Sequence, residues 1–81
     1  MNSSEELSEI SRSEDILLGA MGFSEDARLK RVVVKREEVF LEGSFTSDGE
    51  TFVSKFDGEF GPLESWALEI LKAAGRVEID N

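Results

Sequence analysis

Residues 31–56, RVVVKREEVFLEGSFTSDGETFVSKF, decide the architecture of this 81-residue chain. Runs rich in Val and Phe are separated by the polar stretches KREE and TSDGE, the pattern of strands joined by turns. Asp48-Gly49 reads as the central pair of a two-residue type I′ turn, with Gly49 supplying a positive φ that a side chain would oppose. That centre sets Ser47 opposite Glu50, Phe45 opposite Phe52, Gly43 opposite Ser54, Leu41 opposite Phe56 and Glu42 opposite Lys55. A turn centred on Arg36-Glu37 sets Val34 opposite Val39, Val33 opposite Phe40, Val32 opposite Leu41 and Arg31 opposite Glu42. Apolar side chains then meet apolar ones, and acids meet bases. One face of a three-stranded antiparallel meander collects Val32, Val34, Val39, Leu41, Phe45, Phe52 and Phe56, and a slip of one residue would turn the whole set to solvent.

The same alternation forces Val33, Phe40 and Val53 to the other face, among Arg31, Lys35, Glu42 and Lys55. This apolar centre with a charged rim is the candidate interface, comprising Arg31, Val33, Lys35, Phe40 and Val53. The alternative is that the N-terminal helix folds over it and makes a three-layer body.

C-terminal to the meander, Gly61-Pro62 announces a helix, since the fixed φ of proline suits the first helical position. Leu63, Trp66, Ala67, Ile70, Leu71 and Ala74 recur at spacings of three and four, while Glu64, Ser65, Glu69 and Lys72 face away. Trp66 is expected to anchor this stripe against Phe45, Phe52 and Phe56, leaving Leu68 exposed; Gly75 closes the helix. The tail RVEIDN alternates Val77 and Ile79 with charges, as a short edge strand would.

N-terminal to it, SEDILLGAMG reads as a helix capped by Ser13 and ending near Gly22, with Ile16, Leu17, Ala20 and Met21 as its apolar stripe. Residues 1–12 are polar and acid-rich with only Leu7 and Ile10 to bury and read as an acidic, flexible arm, with 13–81 as one α+β domain of order αβββα. Met21-Gly22-Phe23 followed by SEDAR resembles the first loop of ubiquitin-associated domains over residues 21–28. That family continues in helix where residues 31–43 here are strand-like, so no family follows from it.

Composition narrows the function. Without Cys, His or Tyr the chain lacks a thiolate, an imidazole and a phenol, the commonest nucleophile and proton-transfer groups, and non-catalytic is the expectation. The DGE stretches at 48–50 and 57–59 are read as a turn and a strand exit. SDGETFVSKFDG places Thr51, Phe52, Val53 and Lys55 between its carboxylates, short of the alternating oxygen-bearing positions that a calcium loop needs, so no metal or cofactor is expected. No glycine-rich phosphate loop occurs. Net charge is −9, distributed as −6 over 1–27, +5 over 28–36 and −8 over 37–81. The basic cluster Arg28, Lys30, Arg31, Lys35 and Arg36 is read as pairing internally, and direct nucleic-acid binding is disfavoured. No run is apolar enough to span a membrane, and an acidic N-terminus is unlike a secretory leader, so a cytoplasmic location is expected. The remaining readings are a protein-interaction or regulatory module, whose partner is another protein or a second copy, and an acidic mimic occupying the groove of a nucleic-acid-binding protein.

Overall fold

The computed structural model describes residues 3–57 and 59–80. The elements are α1 (Ser3–Ala20), β1 (Ala27–Lys35), β2 (Glu38–Phe45), β3 (Thr51–Lys55), α2 (Pro62–Ala73) and β4 (Val77–Asp80). The fold is α+β, with a sheet of order β3-β2-β1-β4. The meander is present, and the tail adds a fourth strand parallel to β1, so the sheet is mixed rather than purely antiparallel. β3 and β4 run the same way at opposite edges, which requires a crossover, and α2 supplies it.

The β1–β2 register matches the expectation from Val34↔Val39 through Arg31↔Glu42. Beyond it a bulge at Lys30 shifts the pairing to Leu29↔Gly43. Lys30 and Arg31 are both exposed, and Ala27 and Leu29 thereby point to the same side as Val32. Arg76 binds the strand at this bulge: its Nη2 donates to Leu29 O at 2.6 Å and its Nε to Lys30 O at 2.8 Å.

The β2–β3 register differs from the expected one by two residues, with Gly43↔Phe52, Leu41↔Ser54 and Phe40↔Lys55. The turn is larger than two residues. Phe45 N–H donates to Glu50 O at 2.8 Å, closing a loop over Thr46, Ser47, Asp48 and Gly49, and Gly49 N–H donates back to Phe45 O at 2.8 Å. Gly49 does hold the expected positive φ, +73°. A shift of two preserves which face each side chain takes, so the apolar set is unchanged while the cross-strand partners are not. Lys55 meets Glu38 at 2.8 Å, and Glu42 meets Arg31 at 2.8 Å.

Gly43 leaves no room for a side chain. A Cβ there would lie 2.1 Å from Arg28 O and 2.7 Å from the Phe52 ring. Phe52 lies across it, stacked on Phe23 with centroids 4.4 Å apart and tilted against Phe45 at 5.1 Å.

Helix α1 starts at Ser3, not at Ser13. Residues 3–12, expected as a flexible arm, continue the helix, and Ile10 packs against the core. Ser13 is therefore an interior residue, fully buried, and its hydroxyl has no hydrogen-bond partner. Both helices end alike. In α1, Phe23 N–H donates to Leu18 O and Gly22 N–H to Gly19 O; in α2, Arg76 N–H donates to Leu71 O and Gly75 N–H to Lys72 O. These are Schellman endings, and Gly22 (φ +81°) and Gly75 (φ +76°) take the left-handed position they require. At the start of α2 the Glu64 carboxylate accepts the Gly61 N–H at 2.9 Å.

The core joins Leu17 and Leu18 of α1, Ala67 and Leu71 of α2, Ala27, Leu29, Val32 and Leu41 from the sheet, and Phe56 just after β3. Both helices thus cover the same sheet face and also pack on each other. The result is two layers, and α1 does not cover Val33 and Phe40. The buried line of α2 is Ala67 and Leu71 with Leu68 half-buried beside them, so the helix is rotated from the expected setting. Trp66 is not a core anchor: it is 38% exposed.

Candidate interaction surfaces

The molecule is a slab of about 34 × 32 × 21 Å with two broad faces, one of sheet and one of helices. The sequence-expected residues lie together on the sheet face. Arg31 is held at the centre of a charged ladder, its Nε 2.8 Å from Glu42 and its Nη1 3.0 Å from Glu78 of β4. These hydrogen bonds, Glu42 foremost, push the guanidinium further up from its already high ordinary value, so Arg31 stays charged. The Lys35 ammonium stands over the Phe40 ring, 5.8 Å from its centroid. Val33 is 5% exposed, whereas Val53 is 67% exposed. The hydrogen bond to Glu38 also raises the Lys55 ammonium above its ordinary value. The face is therefore a lattice of paired charges with Val53 standing clear and Phe40 half-covered.

The helical face differs. Leu63 is 51% exposed and Trp66 38%, one turn apart on α2, and Ile70 follows, half-buried. Arg12 of α1 sits over the indole, 6.0 Å from its centroid. Beside them, α1 and α2 leave a crevice of about 240 Å³ lined by Glu9, Ile10, Ile70, Ala73 and Ala74. An exposed tryptophan among aliphatic side chains beside a hollow has the composition of an interface centre. Sequence reasoning assigned these residues to the core because they share the stripe of Ala67 and Leu71. Leu68 was the signal available: with it, the apolar arc of α2 is too wide for one buried face, and part must remain outside.

Asp26 is the most heavily bonded carboxylate at a loop. Ser47 Oγ donates to it at 2.5 Å, Thr46 Oγ1 donates to its other oxygen, and Thr46 N–H donates to its carbonyl at 3.0 Å. The Ser47 and Thr46 hydroxyl bonds hold its carboxyl below the usual carboxylate range. A carboxylate so stabilised is a weak base, and no imidazole exists in the chain to relay a proton, so the trio reads as a clamp on the β2–β3 loop. A second, open hollow of about 410 Å³ lies between the end of α1 and the start of β1, with Leu18, Phe23 and Ala27 among its lining. On its rim the Arg28 guanidinium is engaged with the carbonyls of Glu25 and Ala27.

The five bases of residues 28–36 do not form one patch. Arg28 turns to the α1–β1 loop, Lys30 lies at the bulge, Arg31 and Lys35 lie on the sheet face, and Arg36 occupies the β1–β2 turn with φ +55°. Among the described residues no group of three or more acidic side chains converges as a metal site would, and no helix is long and apolar enough to cross a membrane. Compared with protein-family models, with curated proteins and with solved structures, the chain gives no match.

Proposed function

We propose that the protein is a small, acidic, non-catalytic interaction module that binds a protein partner through the outer surface of its helical layer. The observation that carries this reading is Trp66, the single tryptophan, left 38% exposed beside Leu63 and an apolar crevice when the core had room for only one side of α2. Large apolar side chains on solvent-facing helices of a domain this small lower solubility unless something covers them. The sheet face takes the lesser role in this proposal, because Val33 is already covered and Arg31 is committed to two carboxylates, leaving Val53 and Phe40 as its contact points. The reading as a nucleic-acid mimic draws on the net charge of −9, but acids alternate with bases across the sheet rather than forming an uninterrupted acidic row.

The test is affinity capture from the native cell with the wild-type chain, Trp66→Ala and Val53→Asp, each with and without nuclease. A stoichiometric protein recovered by wild type and Val53→Asp but lost with Trp66→Ala is the expected result. Loss with Val53→Asp alone moves the contact to the sheet, and recovery that nuclease abolishes overturns the reading in favour of nucleic acid.

A further inference from the structure

We infer that the occupant of the helical face is a second copy of this chain, seated so that Trp66 of each copy enters the α1–α2 crevice of the other. This rests on the helical face being the contact surface and adds the identity of what contacts it.

The first argument is that the projection and the hollow lie on the same face of the same helix. Trp66 and Ala73, which lines the crevice, are separated by about two helical turns on α2. A two-fold axis crossing α2 between them, near Ile70, lays two α2 helices antiparallel and brings each indole over the other copy's hollow. Such reciprocity, in which i meets j and j meets i, is what a self-complementary dimer face requires. The crevice, at about 240 Å³ and lined chiefly by Ile and Ala side chains, is of a size and polarity to take a large aromatic ring.

The polar details agree. A buried indole N–H needs an acceptor, and Glu9 places a carboxylate on the rim of the crevice. Glu69 and Lys72 flank the same axis, so an antiparallel arrangement sets each near the opposite charge on the other copy. The helical layer is itself acidic, with Glu9, Glu14 and Asp15 on α1 and Glu64 and Glu69 on α2 against Arg12 and Lys72, so this local pairing offsets only part of the repulsion and salt screens the rest.

Either face is large enough, and desolvation decides between them. A standard interface takes roughly 800 Å² from each partner. A broad face of this slab, about 34 × 32 Å, has room for that area. The sheet face would have to bury the Arg31–Glu42–Glu78 ladder and the Lys55–Glu38 pair, whose desolvation is costly, whereas the helical face offers Leu63, Trp66 and Ile70 at its centre.

The experiment uses the full chain across a hundredfold range of concentration, with mass from sedimentation and emission from the single tryptophan. The expected result is a species of twice 9.0 kDa that dissociates on dilution, with the emission of Trp66 moving to the red over the same range. Trp66→Ala and Ala73→Glu, the second at an exposed position that fills the crevice, should each give a monomer with an unchanged far-ultraviolet spectrum. In Ala73→Glu the emission should be red and independent of concentration. A single 9.0 kDa species at every concentration overturns the proposal, and so does a dimer that survives both substitutions. A monomer that still captures a cellular protein through Trp66 rejects the second copy and leaves the module reading standing; a monomer that captures nothing rejects both.

Discussion

Arg76 Nη2 lies 2.6 Å from Glu14 Oε2, an ion pair between the α2–β4 connection and the middle of α1. The same guanidinium donates to the Leu29 and Lys30 carbonyls at the β1 bulge, so one side chain ties together the sheet, α1 and the start of β4. Its planar fork suits three acceptors at once, which a lysine ammonium on a flexible stem does not. Arg76→Ala is expected to cost about 2 kcal/mol, the scale of hydrogen bonds to a charged donor at a partly buried site, and Arg76→Lys to recover less than half of it. Urea midpoints of the three proteins check this, and a lysine variant equal to wild type would refute it.

Ser13 is fully buried with an unpartnered hydroxyl inside α1. Removing that hydroxyl removes a desolvated polar group, and alanine is also the better helix former. Ser13→Ala should therefore stabilise the protein by about 1 kcal/mol, against the usual direction of core truncations. Thermal unfolding measures it directly.

Gly43 and Gly49 should respond differently to the same substitution. At Gly49 an added methyl group meets open space, and the cost is that of holding φ +73°, about 1 kcal/mol. At Gly43 it meets the Arg28 carbonyl, so strand separation or displacement of the Phe23–Phe52 stack must follow, at a cost of about 3 kcal/mol. Equal losses in denaturant unfolding would show that the close approach is not a constraint.

The Asp26 clamp carries a pH dependence with a definite sign. Its folded carboxyl titrates below the ordinary value of 3.8, so the folded state binds fewer protons than the unfolded state in that range. The contribution is complete above the unfolded value and is lost as pH falls through the folded one. Amide protection at Gly49 and Glu50, taken relative to the intrinsic exchange rate at each pH, should fall below about pH 4 in wild type. In Asp26→Asn that acid-induced change should be absent. The Lys55–Glu38 pair runs the other way at the alkaline end: its ammonium is raised above 10.5, and its contribution fades as pH climbs through that raised value.

Truncation locates where α1 begins to matter. Of residues 1–8, Leu7 and Ser8 have described side chains and both are exposed, and the thermal midpoint should hold when the segment is removed. Removing residues 1–12 also takes Ile10 from the core margin and Arg12 from the indole, and should cost about 2 kcal/mol. An unchanged midpoint after the longer deletion would mean that residues 9–12 are an appendage.

How far the fold could be read from the chain follows from which features are local. The β1–β2 hairpin was legible because its short turn, its apolar alternation and the Arg31–Glu42 pair all require one register. The β2–β3 hairpin was legible in its faces and not in its partners, because a four-residue loop built around Asp26 and a two-residue turn at Asp48-Gly49 both satisfy the alternation. The bulge at Lys30 had no local signature, since its carbonyls are filled by Arg76 from the far end of the chain. The rotation of α2 escaped for a related reason: Leu63, Trp66, Ala67, Leu68, Ile70 and Leu71 cover more arc than the sheet can bury, and only the position of α1 selects Ala67 and Leu71. Composition likewise gave no sign of helix over residues 3–12, where Ile10, among the described side chains, packs against the core with α2 alongside.

The parallel pairing of Val32 with Val77 also bears on how the chain is made. β1 and β2 can meet as soon as both exist, but one edge of β1 stays unmatched until α2 has crossed the sheet and residues 77–80 have left the ribosome. Pairings between such distant positions form slowly, and an unmatched strand edge is a template for a neighbouring chain. During synthesis this protein therefore passes through an interval with Val32, Val33 and Val34 bare on one side, and its copies are most prone to stick to one another just before β4 arrives.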